Sequence, residues 1–450
     1  MKLTLSKGTK DYLPEEQIVR NQIKAKLKCV FERYGFSPLE TPIIEMRDIL
    51  TSKYAGGAEI LKEMFTLTDQ GKRELGLRYD LTVPLARVVG MNPNLRFPFK
   101  RYEMGRAFRD GPIKLGRLRE FWQCDIDVVG SDNVYFDAEM LCLACEGLKE
   151  LGLNSYLEVN NRKIINGIIE DAGIPKSNAE AVILSIDKLK KIGEAGVKKE
   201  LLEKGIDEKY FNKLFSFFKD ASLTTLEKSL KSDIGKQGVI ELKQTFEYVT
   251  KMNKSADIRF VPSIARGLAY YTGMIFEGFA KESKVTSSIC GGGRYDNLVG
   301  NFLGRGVIPA LGFSFGLDTI YAAIKSDKQK STVVDVWVVP IKMSRIETIK
   351  QETERGSPKL APLNIFDECL PTVSELRQNG IRCDIDVKQR SLSKNLDYAN
   401  KEGIPYVILI GKKELDKKII KLKDMSTGKE AEITTKKAIE TITSHLTKSL

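Results

Sequence analysis

Residues 120–130 read Glu-Phe-Trp-Gln-Cys-Asp-Ile-Asp-Val-Val-Gly, and their alternation decides how the rest of the chain is read. In a strand, side chains two apart share a face. Trp122, Cys124, Ile126 and Val128 fall on one face and suit a core. Phe121, Gln123, Asp125 and Asp127 fall on the other. That second face is either the wet outside of a sheet or the floor of a site. Burying its amide and carboxylates is costly unless a ligand or partner satisfies them.

The segments upstream repeat the pattern. Read as strands, residues 77–82 put Arg78, Asp80 and Thr82 opposite Leu77, Tyr79 and Leu81, and residues 101–109 put Arg101, Glu103, Gly105, Ala107 and Arg109 on one face. Between Arg96 and Arg119 stand eight basic residues (96, 100, 101, 106, 109, 114, 117, 119) against Glu103 and Asp110. Carboxylates and arginines on one sheet suit an anionic ligand that also carries a positive group. Arginine fits best, because its fork meets phosphate and carboxylate oxygens in two bonds. A charged amino acid joined to ATP answers that description.

The bulk composition narrows the chemistry. At 450 residues the chain should hold two or three domains. Lys plus Arg exceed Asp plus Glu by 72 to 60, a net charge of +12 that favours a polyanion such as RNA. A single histidine, His445, excludes Ser-His-Asp and Cys-His catalysis and HExxH zinc sites. The GxxxxGK[ST] phosphate loop is absent, so phosphate must be met by Arg, Lys, metal and backbone groups. The seven cysteines lack disulfide-like spacing, and Cys142 and Cys145 read as apolar positions of a helix. With no apolar run of membrane length and no signal-peptide pattern, a soluble, cytoplasmic protein is expected.

Along the chain, residues 15–34 carry Ile23, Leu27, Val30, Phe31 and Tyr34 at helical spacing, with Pro14 before them and Gly35 after. Residues 36–45 read as extended. Residues 174–255 are Lys/Glu-rich with helical periodicity, a helical insertion in a mostly β framework. Strand character returns at 257–280, and 290–304 is glycine-rich. Residues 326–332 make a polar linker between a domain at 1–325 and another at 333–450. In the latter, strands at 333–340, 381–387 and 406–410 alternate with helices, which argues a small α/β domain with a largely parallel sheet. Residues 345–371 read as irregular.

At this point the motifs become recognisable. Leu39-Glu40-Thr41-Pro42 resembles the first motif of class II aminoacyl-tRNA synthetases, a dimer-interface helix and strand. Phe108-Arg109, Gly116-Arg117 and the run 119–127 resemble the second motif in its histidyl form. Residues 265–273 (Ala-Arg-Gly-Leu-Ala-Tyr-Tyr-Thr-Gly) resemble a histidyl signature, and 291–298 (GGGRYDNL) with 309–318 (PALGFSFGLD) resemble the approach to the third motif. Residues 7–11 and 391–410 look like the family's two ends, so the resemblance to histidyl-tRNA synthetases spans nearly the whole chain.

The resemblance implies an α+β fold: a class II antiparallel β-sheet catalytic domain flanked by helices, a helical insertion, and a C-terminal α/β anticodon-binding domain. It implies a homodimer using L-histidine, ATP with Mg²⁺, and tRNA(His). Asp80, Thr82, Gln123 and Asp127 would hold histidine, with Tyr270 and Tyr271 lining the imidazole pocket. Arg109 and Arg266 would be catalytic, meeting the α-phosphate; Phe121 would stack on adenine and Arg117 would reach the distal phosphates. No metal ligand is assigned. Two arginines and Mg²⁺ would neutralise the meeting of carboxylate and phosphate, so neither a protein nucleophile nor a histidine base is needed.

One departure stands out: the family's third motif ends in an arginine that clamps ATP, and here Asp318 is followed by Thr319. A non-catalytic paralogue, either a tRNA-binding pseudo-enzyme or a regulator of histidine biosynthesis, is the rival reading. Arg266 and the C-terminal domain oppose the regulator.

Overall fold

The computed structural model describes residues 2–51, 62–219, 221–266, 270–304, 306–324, 331–341 and 364–448. Two compact units divide the chain: residues 1–11 with 20–325, and residues 12–19 with 326–450.

The first unit is built on strands β1 (Ser37–Pro38), β5 (Phe99–Phe108), β6 (Glu120–Val129), β7 (Ser155–Asn161), β8 (Ile258–Phe260), β9 (Met274–Ala280), β10 (Cys290–Arg294) and β11 (Ala310–Gly316). They form one eight-stranded sheet in the order β1-β5-β6-β11-β10-β9-β7-β8. The interior pairings are antiparallel, while β1 and β8 join the two edges in parallel. Pro38 is tolerated in β1 because an edge strand can spare an N–H. A smaller antiparallel sheet, β2 (Ile44–Met46), β4 (Glu74–Leu77) and β3 (Thr66–Thr68), stands beside it.

The core face read in residues 120–130 holds from Cys124 onward, while Trp122 is only half-buried, with Lys24 and Arg106 over its ring. Burial itself does not alternate, because Asp125 and Asp127 are buried too. Cys124, Ile126 and Val128 are buried, and Phe315 beside Cys124 stacks on Phe31 of the helix Pro14–Arg33 at 6.0 Å between ring centroids. The helix Tyr135–Glu150, whose Cys142 is buried and unpaired as expected, packs on the same side of the sheet. Its Gly147 lies close against the Phe315 ring. Helices therefore seal one face of the sheet and leave the other for chemistry.

Residues 77–82 depart from the strand reading. β4 stops at Leu77 and Thr82 opens the helix Thr82–Met91. The Asp80 carboxylate accepts the Val83 N–H at 3.0 Å, satisfying a helix-start donor that a continuing strand would not present. Here alternation does not separate inside from outside, since Arg78, Tyr79, Asp80 and Leu81 are all buried. The described residues of 174–255 are mostly helical, and the helix Asp233–Met252 packs back on Arg162–Asp171.

In the second unit, β12 (Val336–Pro340), β13 (Cys383–Ile385), β14 (Tyr406–Ile410), β15 (Ile420–Asp424) and β16 (Glu430–Ile433) form a sheet in the order β13-β12-β14-β15-β16. β12 and β14 are buried on both faces, which is why they read as unbroken apolar runs. The sheet is mixed rather than largely parallel: β12 pairs in parallel with β13 and β14, but β15 and β16 continue antiparallel. Their alternating charges (Ile-Lys-Leu-Lys-Asp, Glu-Ala-Glu-Ile) concealed them. The irregular reading of 345–371 fails at its end, where the helix Ile365–Gln378 carries Pro371 inside it. Burial of Ile365, Cys369, Val373 and Leu376 on one side outweighs that proline. The remainder of that stretch, and residues 326–330 of the linker, lie outside the described residues. His445 bonds the Tyr406 hydroxyl at 2.9 Å, a packing role.

Candidate active site

Cross-strand pairing assembles the open face. Arg101 lies opposite Asp127 and Glu103 opposite Asp125 on β5/β6, while Gly312, Ser314 and Gly316 of β11 oppose Asp127, Asp125 and Gln123. A Cβ at Gly312 would strike the Asp127 carboxylate, and one at Gly291 would strike the Arg266 guanidinium. Bare backbone on β10 and β11 is thus what lets charged side chains lie flat on the sheet.

Above this face lies a cavity of about 1140 Å³. The histidine-side residues expected from the sequence all line it: Asp80, Thr82, Gln123, Asp127, Tyr270 and Tyr271. So do the phosphate- and adenine-side residues Arg109, Arg117, Phe121 and Arg266. They come from a helix start, from β6, from the loop between β5 and β6, and from the segment before β9. Arg101 and Glu103, by contrast, are fully buried beneath the cavity and do not line it.

Each side chain is held. Arg109 donates from Nε to the Tyr79 carbonyl at 2.9 Å, and its guanidinium lies 5.3 Å from the Phe121 ring centre. Gln123 Nε2 donates to Ser314 Oγ at 3.2 Å, and its buried Oε1 has no hydrogen-bond partner among the described residues. The Tyr295 hydroxyl donates to Asp127, and the Tyr270 ring sits 4.7 Å from Tyr271 and 6.0 Å from Tyr295. Arg266 adopts φ +52°, a left-handed backbone uncommon outside glycine. Asp187 accepts the N–H groups of Ala265 (3.1 Å) and Arg266 (2.8 Å), and Arg266 Nη1 donates to the Phe276 carbonyl at 3.0 Å.

The electrostatics beneath are strained in one direction. Burial raises the pKa of Asp80, Asp125 and Asp127 above the usual carboxylate range, with Arg101 opposing it at all three and Asp127 adding to it at Asp125. Burial works against the Arg101 charge too, but Asp127, Asp125 and Glu103 outweigh it and raise its pKa. A ligand ammonium placed among the three aspartates would relieve them. Burial likewise raises Tyr270 and Tyr271, which keep their protons.

Sequence reasoning assigned no role to Asp125, Tyr295 or Ser314, all of which line the cavity. Asp125 was visible on the face already singled out. Tyr295 follows the end of β10, where no periodicity points.

Asp125→Asn removes one of the crowded buried charges, so the ligand-free protein should melt higher, by roughly 2 °C. A carboxyl raised on folding contributes stability while protonated and loses it as pH climbs above the usual carboxylate range. The gain should therefore be larger at pH 9 than at pH 6 in paired thermal melts. An equal or lower Tm at both would mean that Arg101 already balances Asp125.

An antiparallel sheet edged by parallel strands, with arginines and carboxylates facing one cavity on its open side, is the framework of a class II aminoacyl-tRNA synthetase. The histidyl-tRNA synthetase family matches residues 8–320, and an anticodon binding domain matches residues 335–445. The chain belongs to the histidyl-tRNA synthetase family. It is 44% identical to histidine--tRNA ligase 1 of Bacillus cereus over 439 residues, covering 96% of this chain and 98% of that one. It is 42% identical to histidine--tRNA ligase 2 of Shouchella clausii, covering 95% and 97%. The crystal structure of histidyl-tRNA synthetase from Nostoc sp. superposes with a TM-score of 0.83 at 29% identity, covering 99% of this chain and all of that one. The α+β fold with a C-terminal anticodon-binding domain is thereby established.

Proposed function

We propose that this chain is a histidine--tRNA ligase, joining histidine to ATP as histidyl-adenylate and then passing the histidyl group to the 3′ end of tRNA(His). The observation that carries the reading is the convergence on one cavity of a buried carboxylate cluster and separate arginines from two distant segments. The histidine ammonium lies among Asp80 and Asp127, held with Thr82, and the imidazole between Gln123 and the tyrosine pair. Gln123 Oε1, buried and unpaired, awaits a donor; leaving it so with the wrong ligand would penalise that ligand. The histidine carboxylate attacks the α-phosphorus as the bond to pyrophosphate breaks. Arg109 and Arg266 offset the charge of two meeting anions and of the five-coordinate phosphorus. Phe121 stacks on adenine and Arg117 meets the distal phosphates. A terminal ribose hydroxyl of the tRNA then attacks the histidyl carbonyl, and AMP leaves.

The described residues contain no group of three or more His, Cys, Asp or Glu arranged to hold a metal. Mg²⁺ entering with ATP would add to the charge neutralisation that Arg109, Arg117 and Arg266 supply. Residues 1–325 act as the catalytic domain with the insertion at 174–255, and 333–450 read the tRNA beyond the linker 326–332. The free cysteines suit a cytoplasmic setting. Among the described residues no helix is long and apolar enough to cross a membrane.

Histidine-dependent ATP–pyrophosphate exchange on the purified chain tests the function. Exchange with histidine and none without is expected. Absent exchange, with tRNA still bound, would favour the non-catalytic paralogue.

The enzyme works as a homodimer in this proposal. Ile43, Ile44, Met46 and Met91 are exposed around β2 and the end of the Thr82–Met91 helix, beside the first-motif residues. Sedimentation at micromolar concentration should give a dimer, and Ile44→Lys with Met46→Lys a monomer. A monomeric parent chain would overturn the assignment.

A further inference from the structure

Thr319 stands where the family pattern leads to a cation, and the structure gives it a different neighbour. The loop from Arg109 to Arg119, between β5 and β6, closes at its base through Arg109 N–H to the Arg119 carbonyl at 2.8 Å. Its tip is a tight reversal in which Lys114 and Arg117 exchange backbone hydrogen bonds at 3.0 and 2.9 Å. Gly116 makes that reversal possible with φ +70°. The Thr319 hydroxyl donates to the Gly116 carbonyl at 3.2 Å. A Cβ built on Gly116 would lie 3.1 Å from the Thr319 Cα, so backbone rests on backbone at this point.

Thr319 is itself a firm base. It lies in the helix Leu317–Ala323, which begins directly at the end of β11. The adjoining Asp318 is buried, ion-paired to Arg20, and accepts the Trp122 N–H at 2.8 Å. The loop tip therefore docks on the first turn of a helix that is anchored to the sheet through Asp318. Lys114, Gly116, Arg117 and Thr319 all line the cavity.

We propose that Thr319 is a positioning residue: its hydroxyl fastens the Lys114–Arg117 tip, and so holds the Arg117 guanidinium over the phosphate side of the cavity. The role of Arg117 rests on the function proposed above; the docking of the loop does not. Holding one arginine in place takes over from supplying another. A long side chain at 319 would have to displace the loop or point away from it.

Three variants of the full chain test this, by ATP–pyrophosphate exchange kinetics and by amide hydrogen exchange of residues 114–117 without ligand. Thr319→Val keeps the shape and loses the hydroxyl. It should speed amide exchange at Lys114 and Arg117 and raise the KM for ATP roughly 3–10-fold, with the KM for histidine and kcat within twofold. Thr319→Ser should restore both readouts. Thr319→Arg should also loosen the tip and should not lower the KM for ATP. Unchanged amide exchange in Thr319→Val, or an improved ATP KM in Thr319→Arg, would overturn the proposal. Faster amide exchange in Thr319→Val from a chain that shows no pyrophosphate exchange would uphold the docking and sink the ATP role, separating the two.

Discussion

Arg266→Ala should lower kcat/KM for histidine-dependent pyrophosphate exchange by roughly 10³-fold. The guanidinium lies over bare Gly291 beside Tyr271 and lines the same cavity as Arg109, where the proposed reaction brings two anions together. Burial opposes its charge, yet Tyr271 and Glu277 raise its pKa, so it enters every turnover as a cation. Lysine should recover little, because a point charge cannot reproduce the forked contact. The backbone supplies an internal control. At φ +52° any non-glycine residue is strained by roughly 1 kcal/mol, so Arg266→Gly should fold at least as stably as Arg266→Ala and be equally inactive. Substantial activity in either variant, measured on protein with an unchanged melting curve, would remove Arg266 from the chemistry.

Arg101→Leu should damage the fold rather than the chemistry, at a cost of about 3–5 kcal/mol in denaturant unfolding. Arg101 is fully buried, 2.7 Å from the Asp127 carboxylate and 3.7 Å from Glu103, and donates to the Leu81 carbonyl at 3.0 Å. Arg78 completes the group, bonding Glu103 at 2.8 Å and the Thr41 carbonyl at 2.6 Å. Without Arg101, Asp125 and Asp127 stand side by side on β6, both buried at the cavity floor, with their main counter-charge gone. The loss is a large share of the 5–15 kcal/mol that holds a typical domain together. Adding Asp125→Asn to Arg101→Leu should recover part of it, because the two sites share one electrostatic network. Simple additivity in the double variant would show that Arg101 acts through packing alone.

The difference between these two arginines marks what the sequence could show. Alternation in residues 120–130 separated core from site because β6 lies mid-sheet with a helix-covered side and an open one. The same logic applied to residues 77–82 found the right side chains for the wrong reason. Asp80 and Thr82 reach the cavity because a helix begins there. Arg101 and Arg109 share a parity in the sequence, and only the end of β5 at Phe108 divides a buried structural cation from one facing ligand. Asp125 was in plain view on the named face, but its neighbours Ser314 and Arg101 arrive from strands distant in sequence or paired by register. The Thr319–Gly116 contact spans 203 positions of chain and could not be read locally. In the second unit, β15 and β16 were missed because half of their side chains are charged, as befits strands with a wet face.

The bare strands β10 and β11 also set terms for anyone wishing to make this protein more heat-resistant. Exchanging glycine for alanine is a common first step, since a stiffer unfolded chain favours folding by about 0.4–1 kcal/mol. At Gly291 and Gly312 the added methyl would land on the Arg266 guanidinium and the Asp127 carboxylate, trading turnover for rigidity. Gly306, where an added carbon meets nothing within 4 Å, is the kind of position such engineering should choose instead.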